Sequence, residues 1–146
     1  ASMMQLNKAG GAIMQRHGVR GATDITGFSL LGHAYKMALA SGVTLEIESS
    51  AVPLLDGAYE LADLGCIPGA AFRNLSFVEE HCRFAQGLDY NRKMLMLDAQ
   101  TSGGLLMAVA EDKAGRVVEE LVAEGYESAA VIGAVSRKDE VWVDVF

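Results

Sequence analysis

Apolar positions along the chain change period several times, and each change marks a predicted element. Met3, Met4, Leu6, Ile13 and Met14 follow helical spacing, and His17 ends the helix they predict, where an imidazole suits the negative end of the dipole. A loop from Gly18 to Asp24 then leads into a second helix, about Thr26 to Ala40, with Asp24 and Thr26 as candidate N-caps. Phe28, Leu31, Tyr35, Ala38 and Leu39 share one face of it, widened by Leu30, Ala34 and Met37. Ser29, His33, Lys36 and Ala40 form the opposite strip, so His33 is expected at the surface or an interface rather than in catalysis. So wide a stripe belongs to a helix packed on a sheet.

Val43, Leu45 and Ile47 alternate with polar residues, the period of a half-exposed strand. Pro53 is placed to start another helix, about Leu54 to Leu64, stopped by Gly65. From Cys66 to Tyr90 the periodicity is weak, which predicts irregular structure with a short extended piece near Leu75 to Val78. Met94 to Leu97 is too short to assign. Leu105 to Ala110 reads as a buried strand, and Glu111 to Glu124 as the clearest helix, with acidic residues in its first turn and Gly125 after its end. Ala129 to Val135 reads as a further buried strand. Val141, Val143 and Val145 alternate after the polar turn Arg137 to Asp139, which predicts a closing antiparallel hairpin. Helices interspersed with strands give an α+β fold, helices packed on a mixed or antiparallel sheet.

Composition narrows the function. The chain has 146 residues, the length of about one domain. Twelve basic against 19 acidic side chains give a net charge of −7, which argues against a sequence-independent nucleic-acid binder and against a polybasic membrane-surface protein. No apolar run approaches the ~20 residues of a membrane span, and no signal-peptide pattern is present, so the cytoplasm is the expected compartment. Asn74-Leu75-Ser76 matches a glycosylation acceptor but is discounted without an export signal. Cys66 and Cys82 form neither a disulfide framework nor a zinc spacing and read as ordinary thiols. Ala1 is not an initiator and no cap-and-staple pattern precedes the first helix. The chain is therefore expected to be a piece of a longer one, lacking its N-terminal side.

Two loops could carry chemistry. In Ala22-Thr23-Asp24-Ile25-Thr26-Gly27-Phe28, a carboxylate ahead of a helix could bind a hard cation such as Mg²⁺ whose other ligands are phosphate oxygens; equally, Asp24 could only cap the helix. In Asp98-Ala99-Gln100-Thr101-Ser102-Gly103-Gly104, successive amides and hydroxyls could form an anion nest; equally, the glycines could supply positive φ or let another backbone approach. There is no Walker A lysine, no Ser/His/Asp elbow and no acid/base carboxylate pair.

The stretch Gly21 to His33, Gly65-Cys66-Ile67-Pro68-Gly69 with Arg73-Asn74-Leu75, and Asp98 to Leu106 closely resemble signatures of selenophosphate synthetase (selenide, water dikinase). Sister families of that fold carry different text at the first and last; they include aminoimidazole ribonucleotide synthetase, thiamine-phosphate kinase and the hydrogenase maturation dehydratase. The resemblance covers essentially the whole chain but only the C-terminal half of the family's protein, and it implies a fold like the C-terminal domain of aminoimidazole ribonucleotide synthetase. It implies an enzyme that turns ATP, selenide and water into selenophosphate, AMP and phosphate, and that dimerises when full-length. This chain would be the C-terminal domain, inactive without the N-terminal ATP-binding domain. Asp24 would be a Mg²⁺ ligand, with Thr23, Thr26, Gly27, Thr101, Ser102, Gly103 and Gly104 close to ATP or its phosphates. No catalytic residue would lie here, because the family's reactive cysteine or selenocysteine and its lysine precede this region, so neither Cys66 nor Cys82 inherits that role. Ser29 stands where the family usually has glycine, which is expected to matter little. Ala99 replaces a frequent proline, which leaves its loop less rigid, and Gly69-Ala70-Ala71 replaces a more glycine-rich stretch. The alternatives are a sister ATP-dependent enzyme with another acceptor and a stand-alone binding or assembly module without catalysis.

Overall fold

A computed structural model describes residues 4–146. Met3, assigned above to the first helix, lies outside the described residues. The helix itself, α1, spans Lys8–His17, and Met4 and Leu6 precede it, both largely exposed. Strand β1 (Gly21–Asp24) follows, then helix α2 (Ser29–Ser41) and strand β2 (Val43–Ile47). Helices α3 (Ala58–Asp63) and α4 (Gly69–Val78) lead to strand β3 (Cys82–Phe84). The chain continues with helix α5 (Tyr90–Met96), strand β4 (Leu105–Ala108), helix α6 (Glu111–Ala123), and strands β5 (Gly133–Arg137) and β6 (Val143–Val145). The expected α+β class holds.

The strands form two sheets. In the larger, ordered β3-β6-β2-β5, β6 runs parallel to both its neighbours and β5 antiparallel to β2. The predicted closing hairpin is therefore absent: β2 lies between β5 and β6. The segment between them instead folds against β2, where Thr44 Oγ1 donates to the Val141 carbonyl at 2.7 Å and accepts from the Asp139 amide at 2.9 Å. The other sheet is β1 and β4, paired antiparallel with Asp24 opposite Leu105. The residues of β4 are half-buried rather than buried. Strand β5 is an edge and is mostly exposed, against the expectation of a buried strand from Ala129 to Val135.

Four further expectations are corrected. The chain from Pro53 stays non-helical until Gly57, whose left-handed φ of 77° turns it into the six-residue α3. Residues 69–78 form a helix, not an irregular segment. Its inward positions are Ala71, Asn74 and Val78, and the polar Asn74 at a core position hides the apolar period. Helix α2 starts at Ser29, not Thr26, because the Ser29 amide closes a turn onto the Thr26 carbonyl at 3.0 Å and Gly27 and Phe28 are spent in that turn. Ser29 is fully buried, not on an outer strip, and holds φ of 65°, the conformation that favours glycine. Position 29 is thus strained, against the expectation that a serine there would matter little.

The main core packs Leu31, Ala34 and Ala38 of α2 with Val78, Met94, Met96 and Leu97 against Leu45, Ile47, Val143 and Val145 of the larger sheet. Each fully buried side chain of the larger kind contributes about 1.5–3 kcal/mol. A satellite core joins α1 to α6 through Ile13, Val117 and Leu121. Glu120 closes it: its carboxylate meets Arg16 at 2.7 Å, His17 Nε2 at 3.0 Å and Arg116 at 3.2 Å.

Two tests follow from this packing. Ser29→Gly is expected to stabilise the chain by about 1 kcal/mol by relieving the left-handed strain, and Ser29→Ala to give no gain. Chemical denaturation checks both, and equal stability of the two variants would contradict the strain. Glu120 is held below the ordinary glutamate range, chiefly by its hydrogen bond with His17. A depressed carboxylate contributes stability that is present above its unfolded pKa and is lost as the pH falls through the lower folded one. Acidification below the ordinary glutamate range should therefore lower the protection factors of the α1 amides, that is, exchange corrected for the intrinsic rate at each pH, and Glu120→Gln should flatten that dependence. Protection factors in α1 that do not change on acidification of the parent chain would refute the coupling.

Candidate functional site

The two loops singled out in the sequence meet. Pairing of β1 with β4 continues past the strand ends, where the Ile25 amide donates to the Gly104 carbonyl at 2.9 Å and the Gly103 amide to the Ile25 carbonyl at 3.0 Å. The Gln100 amide adds a bond to the Thr26 carbonyl at 3.1 Å. Gly103 is required for this contact, since a Cβ there would lie 2.4 Å from the Ile25 carbonyl oxygen. Of the readings left open for this loop, close backbone approach is the one observed. Gly103 and Gly104 are not among the positive-φ glycines, and the Gly103 amide, spent on Ile25, is no nest donor. Thr101, Ser102 and Gly104 are exposed.

On the facing segment, Asp24 ends β1 and is exposed, and among the described residues its carboxylate makes no hydrogen bond or ion pair. It does not cap α2, whose N-cap is Phe28 without a side-chain hydrogen bond. Thr23 Oγ1 donates to the Asp24 carbonyl at 3.2 Å. Thr26 Oγ1 lies 2.9 Å from His33 Nε2, so His33 is half-buried behind the loop with Phe28 edge-on to its ring, not free at the surface. Gly27 is exposed, and its carbonyl accepts from the buried Asn74 side chain.

The loop from Asp98 to Gly104 also walls one end of a cleft of about 1050 Å³ that runs between β4, α6, β2 and β5. Asp24, Thr23, Thr26 and Gly27 are not part of that lining. Asp98, part of the wall, is pushed above the ordinary aspartate range by burial, opposed by its bond to the Ala99 amide. Among the described residues no three His, Cys, Asp or Glu side chains gather where they could hold a metal ion. A lone exposed carboxylate fits Mg²⁺ held jointly with phosphate oxygens, and does not fit an ion held by this chain alone. Cys82 is buried and burial pushes its thiol up to about 12, so it is no nucleophile; Cys66 is exposed.

A fold of helices on a mixed sheet, with two glycine-bearing loops brought together at one end, places the chain in a defined class. It belongs to the family described as AIR synthase related protein, C-terminal domain, which matches residues 2–145. Within it, the chain is similar to proteins named selenide, water dikinase. It is 54% identical to that of Porphyromonas gingivalis strain ATCC BAA-308 / W83 over 139 residues, which are 94% of this chain and 39% of the relative. For that of Caldanaerobacter subterraneus subsp. tengcongensis the identity is 44%, over 94% of this chain and 40% of the relative. For that of Clostridioides difficile strain 630 it is 38%, over 98% and 41%. The chain thus spans about two fifths of the length of these curated relatives. No described helix is long and apolar enough to cross a membrane.

Sequence reasoning missed Asn74 and the role of His33 as supports of the first loop. Both residues lie inside the stretches that carry the resemblance, but only the fold shows what they hold.

The contact at Gly103 generates a paired test. Gly103→Ala should cost about 1–3 kcal/mol by forcing the two loops apart. Gly104→Ala, whose Cβ would meet nothing within 4 Å, should be near neutral. Denaturant midpoints of the two variants decide it, and equal costs would contradict the close approach.

Proposed function

We propose that this chain is the C-terminal domain of a cytoplasmic selenophosphate synthetase, an enzyme converting ATP, selenide and water into selenophosphate, AMP and phosphate. The carrying observation is the exposed Asp24 carboxylate, uncommitted to a cap, set beside a docked pair of loops. The names of the relatives supply the reaction class. In this reading Asp24 completes the coordination of Mg²⁺ bound with ATP, and the N-terminal ATP-binding domain supplies the remaining ligands and the reactive cysteine or selenocysteine with its lysine.

Mg²⁺ held there by Asp24 together with phosphate oxygens would supply charge compensation on the phosphates. This chain's own residues do the rest of what falls to it. The hydrogen-bonded frame of Ile25, Gly103 and Gly104 keeps the Asp24 end of β1 in place. His33 fixes the Thr26 hydroxyl, and the exposed Thr101 and Ser102 hydroxyls and the Thr23 side chain offer polar groups near the phosphates. The domain alone is inactive, since one carboxylate leaves most of the triphosphate charge unmatched, and the full-length enzyme works as a homodimer.

Asp24→Asn in the full-length enzyme should lower selenide-dependent ATP turnover by about a hundredfold or more, with little change in melting temperature because the side chain is exposed. ³¹P NMR reads selenophosphate and AMP together. Turnover near the parent's would overturn the metal role, and ATP consumption without selenophosphate would overturn the reaction. The 146-residue chain itself should show no micromolar binding of Mg-ATP by calorimetry.

A further inference from the structure

Asn74 is a polar residue in an apolar place. It sits on the inward face of α4 between Ala71 and Val78 and is only 7% exposed. Both hydrogens of its side-chain amide are used, one on the Gly27 carbonyl and one on the Leu97 carbonyl, each at 3.0 Å. Those acceptors belong to the two loops of the candidate site: Gly27 to the turn that follows Asp24, and Leu97 to the entry of the segment from Asp98 to Gly104. With two carbonyls as partners, the orientation of the amide is set by chemistry, since its oxygen could satisfy neither.

The loops also bond to each other directly, through Ile25 with Gly103 and Gly104 and through Thr26 with Gln100. Asn74 closes that ladder from behind with a third element. A leucine of similar size would fill the space, leave the buried Leu97 carbonyl without a donor and release the Gly27 carbonyl, on the exposed turn, from the helix. A helix that needed only packing would carry an apolar residue there. Burial also removes Asn74 from reach as a glycosylation acceptor.

We infer that Asn74 is a positioning residue of the two-loop site: by clamping the Gly27 and Leu97 carbonyls together it keeps the Asp24 segment and the Asp98–Gly104 segment in one register. The inference rests on the metal reading of Asp24 only for its functional consequence. The clamp itself is a property of the metal-free chain.

Hydrogen exchange followed by NMR on the metal-free chain tests the clamp. In the parent, the Asn74 side-chain amide protons and the Gln100 and Gly103 backbone amides should be protected to a similar degree and open together. In Asn74→Leu the Gln100 and Gly103 amides should exchange about tenfold faster while those of α6 keep their rates. Asn74→Ser should move them the same way by less. Ile13→Ala, a truncation in the satellite core, which contains neither Leu97 nor Asn74, should lower the melting temperature without this selective loosening.

In the full-length enzyme, Asn74→Leu should raise the Mg²⁺ concentration for half-maximal ATP turnover about fivefold, with turnover at saturating Mg²⁺ close to the parent's, because fewer molecules hold the competent loop pair. An unprotected Asn74 amide in the parent, or unchanged Gln100 and Gly103 exchange in a folded Asn74 variant, overturns the clamp. Selective loosening with an unshifted Mg²⁺ midpoint overturns its positioning role, provided Asp24→Asn abolishes turnover. If Asp24→Asn is itself active, the metal reading fails while the exchange data still judge the clamp.

Discussion

Everything at the candidate site depends on one backbone contact, the approach of Gly103 to Ile25. The β1–β4 pair is short, and its ladder would stop at Asp24 and Leu105 if the next residues could not come together. They can because position 103 carries no side chain. Two reciprocal backbone bonds then extend the pairing into the loops, and the exposed carboxylate of Asp24 ends up at the edge of a rigid frame. A chemically useful group on an otherwise mobile turn would spend most of its time elsewhere. Here regular sheet geometry, not a dedicated side-chain cage, does the fixing.

Support for that frame comes from the helices behind it, and each supporting residue breaks a local rule. Asn74 is polar where α4 faces the core, and His33 is half-buried against Thr26. Ser29 begins α2 with a backbone conformation that suits glycine. Rule-breaking of this kind concentrates where a fold is shaped by something besides its own stability. The α1–α6 satellite follows ordinary rules: an apolar contact through Ile13, Val117 and Leu121, rimmed by one carboxylate with cationic partners. Its role is to hold α1 beside the β4 side of the cleft.

The donor set limits what this chain can hold by itself. A single carboxylate cannot bind Mg²⁺ tightly by itself, and the described residues gather no second cluster. The ion would be shared with phosphates and with ligands from elsewhere. In the proposed reading the remaining ligands lie outside this chain, which spans about two fifths of its relatives' length. Cys82, buried and with its thiol pushed up to about 12, adds no reactive group to the site.

The sequence by itself determined the class of fold, the long amphipathic helices α2 and α6, the alternating strand β2 and the two loops worth attention, because each is written in local period or in a contiguous motif. The family, too, was legible in contiguous text. Strand order was not: β6 looks like the second half of a hairpin, yet pairs parallel to β2 and β3, since hydrophobic alternation says which face is buried and nothing about which neighbour supplies the hydrogen bonds. Helix α4 was hidden by Asn74, whose polarity breaks the apolar period and makes sense only when the Gly27 and Leu97 carbonyls are seen beside it. The start of α2 was likewise settled by the turn in which the Ser29 amide bonds to the Thr26 carbonyl. Local sequence carries propensity and pattern; the acceptor that a buried donor meets belongs to a segment distant in the chain, and only the tertiary structure brings it there.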